Sequence, residues 1–110
     1  MKRALFICTQ NRLRSPTAEN VFAAWPGVDT DSAGLGNDAE VPLSREQIEW
    51  ATVIFVMEKA HRRRLASRFR ASLNGKQVIC LDIPDEYAYM QPALIELLIA
   101  KAGRFLRTST

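Results

Sequence analysis

Apolar residues fall in a few short dense runs, separated by stretches in which they recur at helical spacing. The first run, Ala4-Leu5-Phe6-Ile7 within residues 3–8, lacks the alternation of a half-exposed strand and predicts one covered on both faces. Thr52–Met57 and Gln77–Ile83 read the same way, and Val28–Ser32 reads as a shorter strand closed by Ala33-Gly34. Between the first two strands, Ala18, Val21, Phe22 and Trp25 recur at helical spacing. Ser15 suits the N-cap of that helix, Pro16 suits its first position, and Pro26-Gly27 ends it. Ser44 can cap a short helix to about Ala51 with Ile48 inward. Glu58–Phe69 reads as a helix with Ala60, Leu65 and Phe69 inward and its arginines outward. Asn74-Gly75 is a turn, and Pro92 opens a last helix to about Arg107 with a stripe of Leu94, Leu98, Ala102 and Phe105.

Strands thus alternate with helices, which predicts an α/β fold: a parallel sheet with helices on both faces and right-handed crossovers. In such sheets ligands bind beyond the carboxyl ends of the strands. The segments after Cys8, Gly34, Met57 and Ile83 should therefore gather at one edge. The 110 residues fit one domain, residues 1–110, with one core.

Composition narrows the class. Apolar residues at 47% can support a core without staples, and 25% charged residues argue against wholesale disorder. Cys8 and Cys80 are too few for a disulfide framework or a metal site, and reduced thiols point to a cytoplasmic protein. The apolar run after Met1-Lys2-Arg3 is too short for a signal peptide, and no run is long enough to span a membrane. The net charge of +3 favours anionic partners without specifying nucleic acid.

One stretch carries chemistry. Cys8-Thr9-Gln10-Asn11-Arg12-Leu13-Arg14-Ser15 joins the first strand to the first helix. A strand–loop–helix junction offers free backbone N–H groups and the positive end of a helix dipole to an oxyanion. Arginines and helix N-termini favour the thiolate form of a cysteine, which is the nucleophile. Arg14 offers a planar fork to two phosphate oxygens. Ser15 can cap the helix, donate to the Cys8 sulfur, or both. Asn11 sits where the loop must turn, and asparagine tolerates the left-handed region. The plainer reading is a strand-end thiol followed by a solvated arginine.

This loop, with Pro16-Thr17-Ala18-Glu19 after it, resembles the low-molecular-weight protein tyrosine phosphatase family, whose signature is Cys-x-Gly-Asn-x-Cys-Arg-Ser-Pro near the N-terminus. Asp31-Ser32-Ala33-Gly34 and Thr52–Glu58 resemble two further stretches of that family. The resemblance implies a flavodoxin-like four-stranded parallel sheet. It also implies hydrolysis of phosphate monoesters, above all phosphotyrosine, through a phosphocysteine on Cys8, with no metal or other cofactor. Thr9, Gln10, Asn11, Arg12, Leu13 and Ser15 would then line the phosphate with Arg14. The size and the Ile83–Tyr87 stretch resemble a short bacterial branch. Gln10 replaces the family's glycine, where its side chain either crowds the pocket or adds a donor. Leu13 replaces a second cysteine, so no disulfide can form within the loop. Arg12 replaces an apolar residue and either favours a more anionic substrate or is solvated. The segment from Gly34 to Thr52 is short, which implies a shallow cleft. The family's general acid comes from an Asp-Pro-Tyr motif that this chain lacks. Asp85 before Glu86-Tyr87 is the first candidate and Asp82 the alternative, with Tyr87 or Tyr89 as a cleft wall.

Rival functions remain open from the residues alone. A non-catalytic module binding phosphate or phosphopeptides would keep the same fold. An arsenate reductase would need shuttling cysteines besides Cys80. Lys59, His61, Arg62, Arg63, Arg64, Arg68 and Arg70 could track nucleic-acid phosphates, but no aromatic interleaving accompanies them and a solvated helix face is the simpler reading. His61 reads as structural or exposed.

Overall fold

A computed structural model describes residues 1–107. Four parallel strands form one sheet in the order β2-β1-β3-β4: β1 (Lys2–Cys8), β2 (Val28–Gly34), β3 (Val53–Val56) and β4 (Gln77–Cys80). The helices are α1 (Arg14–Ala23), α2 (Arg45–Trp50), α3 (Lys59–Phe69) and α4 (Pro92–Leu106), with a short 3-10 turn at Arg70–Leu73.

Each apolar strand feeds two cores at once, because successive side chains point to opposite faces. Ala4, Phe6 and Cys8 of β1 pack with Phe55 under α1 and α4, against Ala18, Phe22, Leu94 and Leu98. Phe6 stacks on Phe22 and Phe55 with ring centroids 5.6 and 5.1 Å apart. Leu5, Ile7, Ile54 and Val56 pack on the other face beneath α2 and α3, against Ile48 and Leu65. This is why the runs are continuous rather than alternating. Among the described residues, no helix is long and apolar enough to cross a membrane.

Several boundaries differ from expectation for local reasons. α1 begins at Arg14 with Leu13 before it and no side-chain cap. Ser15 is inside the helix because its hydroxyl is engaged by Cys8 and Asn11 instead. Pro16 accordingly sits at the third helical position. β2 runs on to Gly34, paired with Cys8. β4 stops at Cys80, since Leu81 and Ile83 bond individually to Val56 and Met57 beyond the regular ladder. In α3 His61 and Leu65 are buried and Phe69 packs half-buried on the same core, whereas Ala60 is exposed. The turn of the helix thus directs His61, not Ala60, toward the carboxyl edge of the sheet.

Candidate active site

The carboxyl ends of β1 and β3 lie side by side, so the segments leaving these two strands must meet. After β1 the chain turns sharply at Asn11, which is buried with φ of 57°. That left-handed step brings the Asn11 N–H back to the Cys8 sulfur at 3.2 Å. Asn11 Nδ2 donates to Ser15 Oγ at 2.9 Å, which leaves the Ser15 hydroxyl proton free to point at Cys8 Sγ, also 2.9 Å away. Two donors therefore converge on the sulfur, an arrangement suited to negative charge there. The left-handed step falls at Asn11 rather than Gln10, which is exposed with its carbonyl accepting the Glu40 N–H at 2.9 Å.

The loop is pinned from outside by the residues that follow β2. Leu35 N–H donates to Cys8 O at 3.0 Å and Gly36 N–H to Thr9 O at 2.7 Å. Gly34 allows this approach, because a Cβ there would stand 2.6 Å from both Thr9 O and Ala39 Cβ.

Arg14 is 3% exposed, a buried charge that needs partners. Its Nη1 donates to Glu58 Oε2 at 2.6 Å and to the Ile83 carbonyl at 2.7 Å. Nε lies 3.7 Å from Asp85 Oδ1. With Nη1 occupied by the scaffold, the Nε–Nη2 edge is the part of the fork suited to a bidentate oxyanion.

These groups enclose a cavity of about 380 Å³ lined by Cys8, Thr9, Gln10, Arg12, Leu13, Arg14 and Asp85. Asn11 and Ser15 lie beneath that surface and organise the sulfur. Arg12 stands on the wall and pairs with Glu40 at 3.2 Å, so it is neither free nor fully solvated. Asp82 is elsewhere: it has φ of 51°, accepts from Cys80 Sγ at 3.5 Å, and lines a different cavity with Cys80 and Lys101. Tyr87 packs on the α1–α4 core and Tyr89 receives a hydrogen bond from Asn20, and neither lines the Cys8 cavity.

Sequence reasoning missed Glu58 and His61 as parts of this region. Glu58 Oε2 holds Arg14, while its backbone N–H donates to His61 Nδ1 at 3.2 Å. The other ring nitrogen, Nε2, meets Thr9 Oγ1 at 2.9 Å. A nitrogen that accepts an N–H carries no proton, so His61 is a neutral imidazole with its hydrogen on Nε2. Burial first, and then the nearby Arg14 guanidinium, hold its pKa below the ordinary histidine value. The available signal was Glu58 placed two residues after β3, in a sheet where β3 neighbours β1.

The model of the low molecular weight phosphotyrosine protein phosphatases matches residues 3–54, which include the Cys8 loop and β2. A protein-arginine-phosphatase of Geobacillus stearothermophilus is 32% identical over 91 residues. Over these residues the chain is similar to the low molecular weight phosphotyrosine protein phosphatases. The alignment takes in 61% of this chain and 62% of that relative, so it spans less than two thirds of the relative's length. The fold likeness reaches further. The structure of YwlE arginine phosphatase from Geobacillus stearothermophilus superposes with a TM-score of 0.71 at 24% identity, covering 96% of this chain and 95% of that one. The tyrosine phosphatase Wzb from Escherichia coli K30, in complex with phosphate, gives 0.77 at 20% identity, covering 96% and 97%. The flavodoxin-like four-stranded parallel sheet is thus shared with these structures over nearly the whole chain.

Proposed function

We propose that this protein hydrolyses phosphate monoesters, with phosphotyrosine in proteins as its substrate class, through a phosphocysteine on Cys8. The observation that carries the reading is the convergence of the Asn11 N–H and Ser15 hydroxyl on the Cys8 sulfur beside the buried Arg14 fork. In the first step Cys8 Sγ attacks phosphorus, and the S–P bond forms as the P–O bond to the alcohol breaks. Loop N–H groups and the Nε–Nη2 edge of Arg14 hold the non-bridging oxygens as charge develops. Asp85 gives a proton to the departing oxygen. In the second step water attacks phosphorus, Asp85 takes its proton, and phosphate leaves with the thiolate restored. Asp85 suits both steps because it lines the same cavity as Cys8 and faces Arg14. A free nucleophilic thiol fits the reducing cytoplasm.

A second reading comes from the Geobacillus stearothermophilus relative, whose name gives phosphoarginine as the substrate. Arg12 and Arg14 on one wall favour the aryl ester, since a guanidinium-bearing leaving group would meet like charge there. The test is hydrolysis of phosphotyrosine and phosphoarginine peptides by the wild type and Cys8→Ser. The reading expects faster turnover of phosphotyrosine and loss of both activities in the variant. Equal rates in the two proteins would contradict Cys8 as nucleophile. Phosphate binding without any turnover would point to a non-catalytic binding module.

A further inference from the structure

Among the described residues two helix-capping pairs differ in what they reach. At α2, Ser44 Oγ accepts the Gln47 N–H at 3.2 Å and Gln47 Oε1 accepts the Ser44 N–H at 3.1 Å, an ordinary capping box. Gln47 also ties the helix to β2, reaching Asp31 at 3.0 Å. At α3 the corresponding residues are Glu58 and His61, and their ties run into the phosphate loop. His61 is 3% exposed and bonds Thr9 Oγ1, while the Glu58 carboxylate grips Arg14. A cap alone does not call for an imidazole, because glutamine serves that purpose at α2.

We propose that His61 is a positioning residue for the phosphate loop: as neutral imidazole it seats Thr9 through Nε2–H and holds the Glu58 backbone so that its carboxylate stays on Arg14. The proposal rests on the reading that this loop holds phosphoryl oxygens. It assigns His61 no contact with substrate.

The geometry also gives the device a direction in pH. A proton on Nδ1 would face the Glu58 N–H, donor against donor, and break the cap. The imidazolium would also attract the Glu58 carboxylate, whose Oε2 is 3.9 Å from Nε2, in competition with Arg14. The charged groups facing His61 are Arg14 from α1, Glu58 before α3, Arg64 on α3 and Asp85 from the loop before α4. Arg14 and Arg64 resist the proton, while Glu58 and Asp85 favour it. Acidification therefore breaks the Glu58 cap and loosens the Arg14 grip. A simple charge effect has the opposite sign, since an added positive charge near the cavity attracts an anion.

Sulfate, which stays dianionic throughout, is the probe, with its affinity measured by calorimetry between about pH 5 and 8. His61 is the only histidine in the sequence, so its nitrogen resonances can be followed without ambiguity. Wild-type sulfate affinity should fall as His61 protonates. His61→Ala should bind sulfate about tenfold more weakly at neutral pH, with far-UV circular dichroism unchanged. His61→Gln can still donate to Thr9 and does not titrate, so it should recover most of that loss and show a flat profile where the wild type falls. Wild type and His61→Gln tracing one curve overturns the proposal, as does His61→Ala binding like the wild type. If His61→Ala does not fold, Thr9→Val decides, since it removes the other end of the contact and should show the same loss. Unchanged binding by Thr9→Val overturns the proposal. Because binding is the readout, absent turnover counts against the phosphatase reading and leaves this proposal to be judged separately.

Discussion

On one side of the cavity, Cys8–Ser15 is a loop knotted to itself and to its neighbours. Asn11 and Ser15 bond the sulfur, Leu35 and Gly36 pin the Cys8 and Thr9 carbonyls, and Glu58 and Ile83 hold Arg14. On the other side, Pro84–Gln91 is an exposed loop, and Asp85 enters the site with 63% of its side chain exposed, 3.7 Å from Arg14. The difference teaches how the two halves of the proposed reaction are provided for. Holding a phosphoryl group needs donors fixed before the substrate arrives, because their value lies in preorganisation. Delivering a proton needs a carboxyl group within reach of a leaving group whose shape varies, and a looser segment can supply that.

The contrast can be broken first at Arg14. Arg14→Lys keeps the charge but loses the planar fork and the geometry of its grip on Glu58, and should lower kcat/KM for an aryl phosphate by about 10³-fold. A loss of tenfold or less, on the order expected for one surface charge, would mean that Arg14 is not the oxyanion clamp. Asp85→Asn should act on the other half, lowering kcat by about 10²-fold while sulfate affinity is retained. Asp82→Asn is its control and should leave kcat unchanged, since Asp82 faces Cys80 and a different cavity. The reverse pattern would move the acid to Asp82.

Gly34→Ala probes the rigid side without touching a reacting group. The new methyl would collide with Thr9 O and Ala39 Cβ, each 2.6 Å away, and should cost about 1–3 kcal/mol in denaturant unfolding and weaken sulfate binding. Intact stability would show that the close approach of β2 to the loop is dispensable. The smallest expected effect is on the pH dependence of stability. The folded pKa of His61 lies below its unfolded value, so between the two the unfolded chain binds more protons. Folding stability should fall as pH drops through that window, and His61→Gln should flatten this part of the curve in thermal melts. A curve of unchanged slope would place the acid sensitivity in other groups.

The strands and the sheet were legible because burial on both faces leaves a continuous apolar run that little else produces. The Cys8–Arg14 spacing was legible too, since it lies within one loop. The rest depended on neighbours the sequence does not adjoin. Ser15 has the character of an N-cap, but the Cys8 sulfur and Asn11 amide claim its hydroxyl. Ala60 and His61 are adjacent, and only the phase of α3 decides which of them faces Thr9. Glu58 meets Arg14 across 44 positions, through the pairing of β1 with β3.

The central claim is that phosphate passes through Cys8. It is met most directly by mixing Asp85→Asn with an aryl phosphate, quenching rapidly in denaturant and locating any phosphoryl group by peptide mass mapping. The slowed second step should leave the group on Cys8 early in the reaction. Turnover with Cys8 unmodified, or with the phosphoryl group on another side chain, would contradict the account.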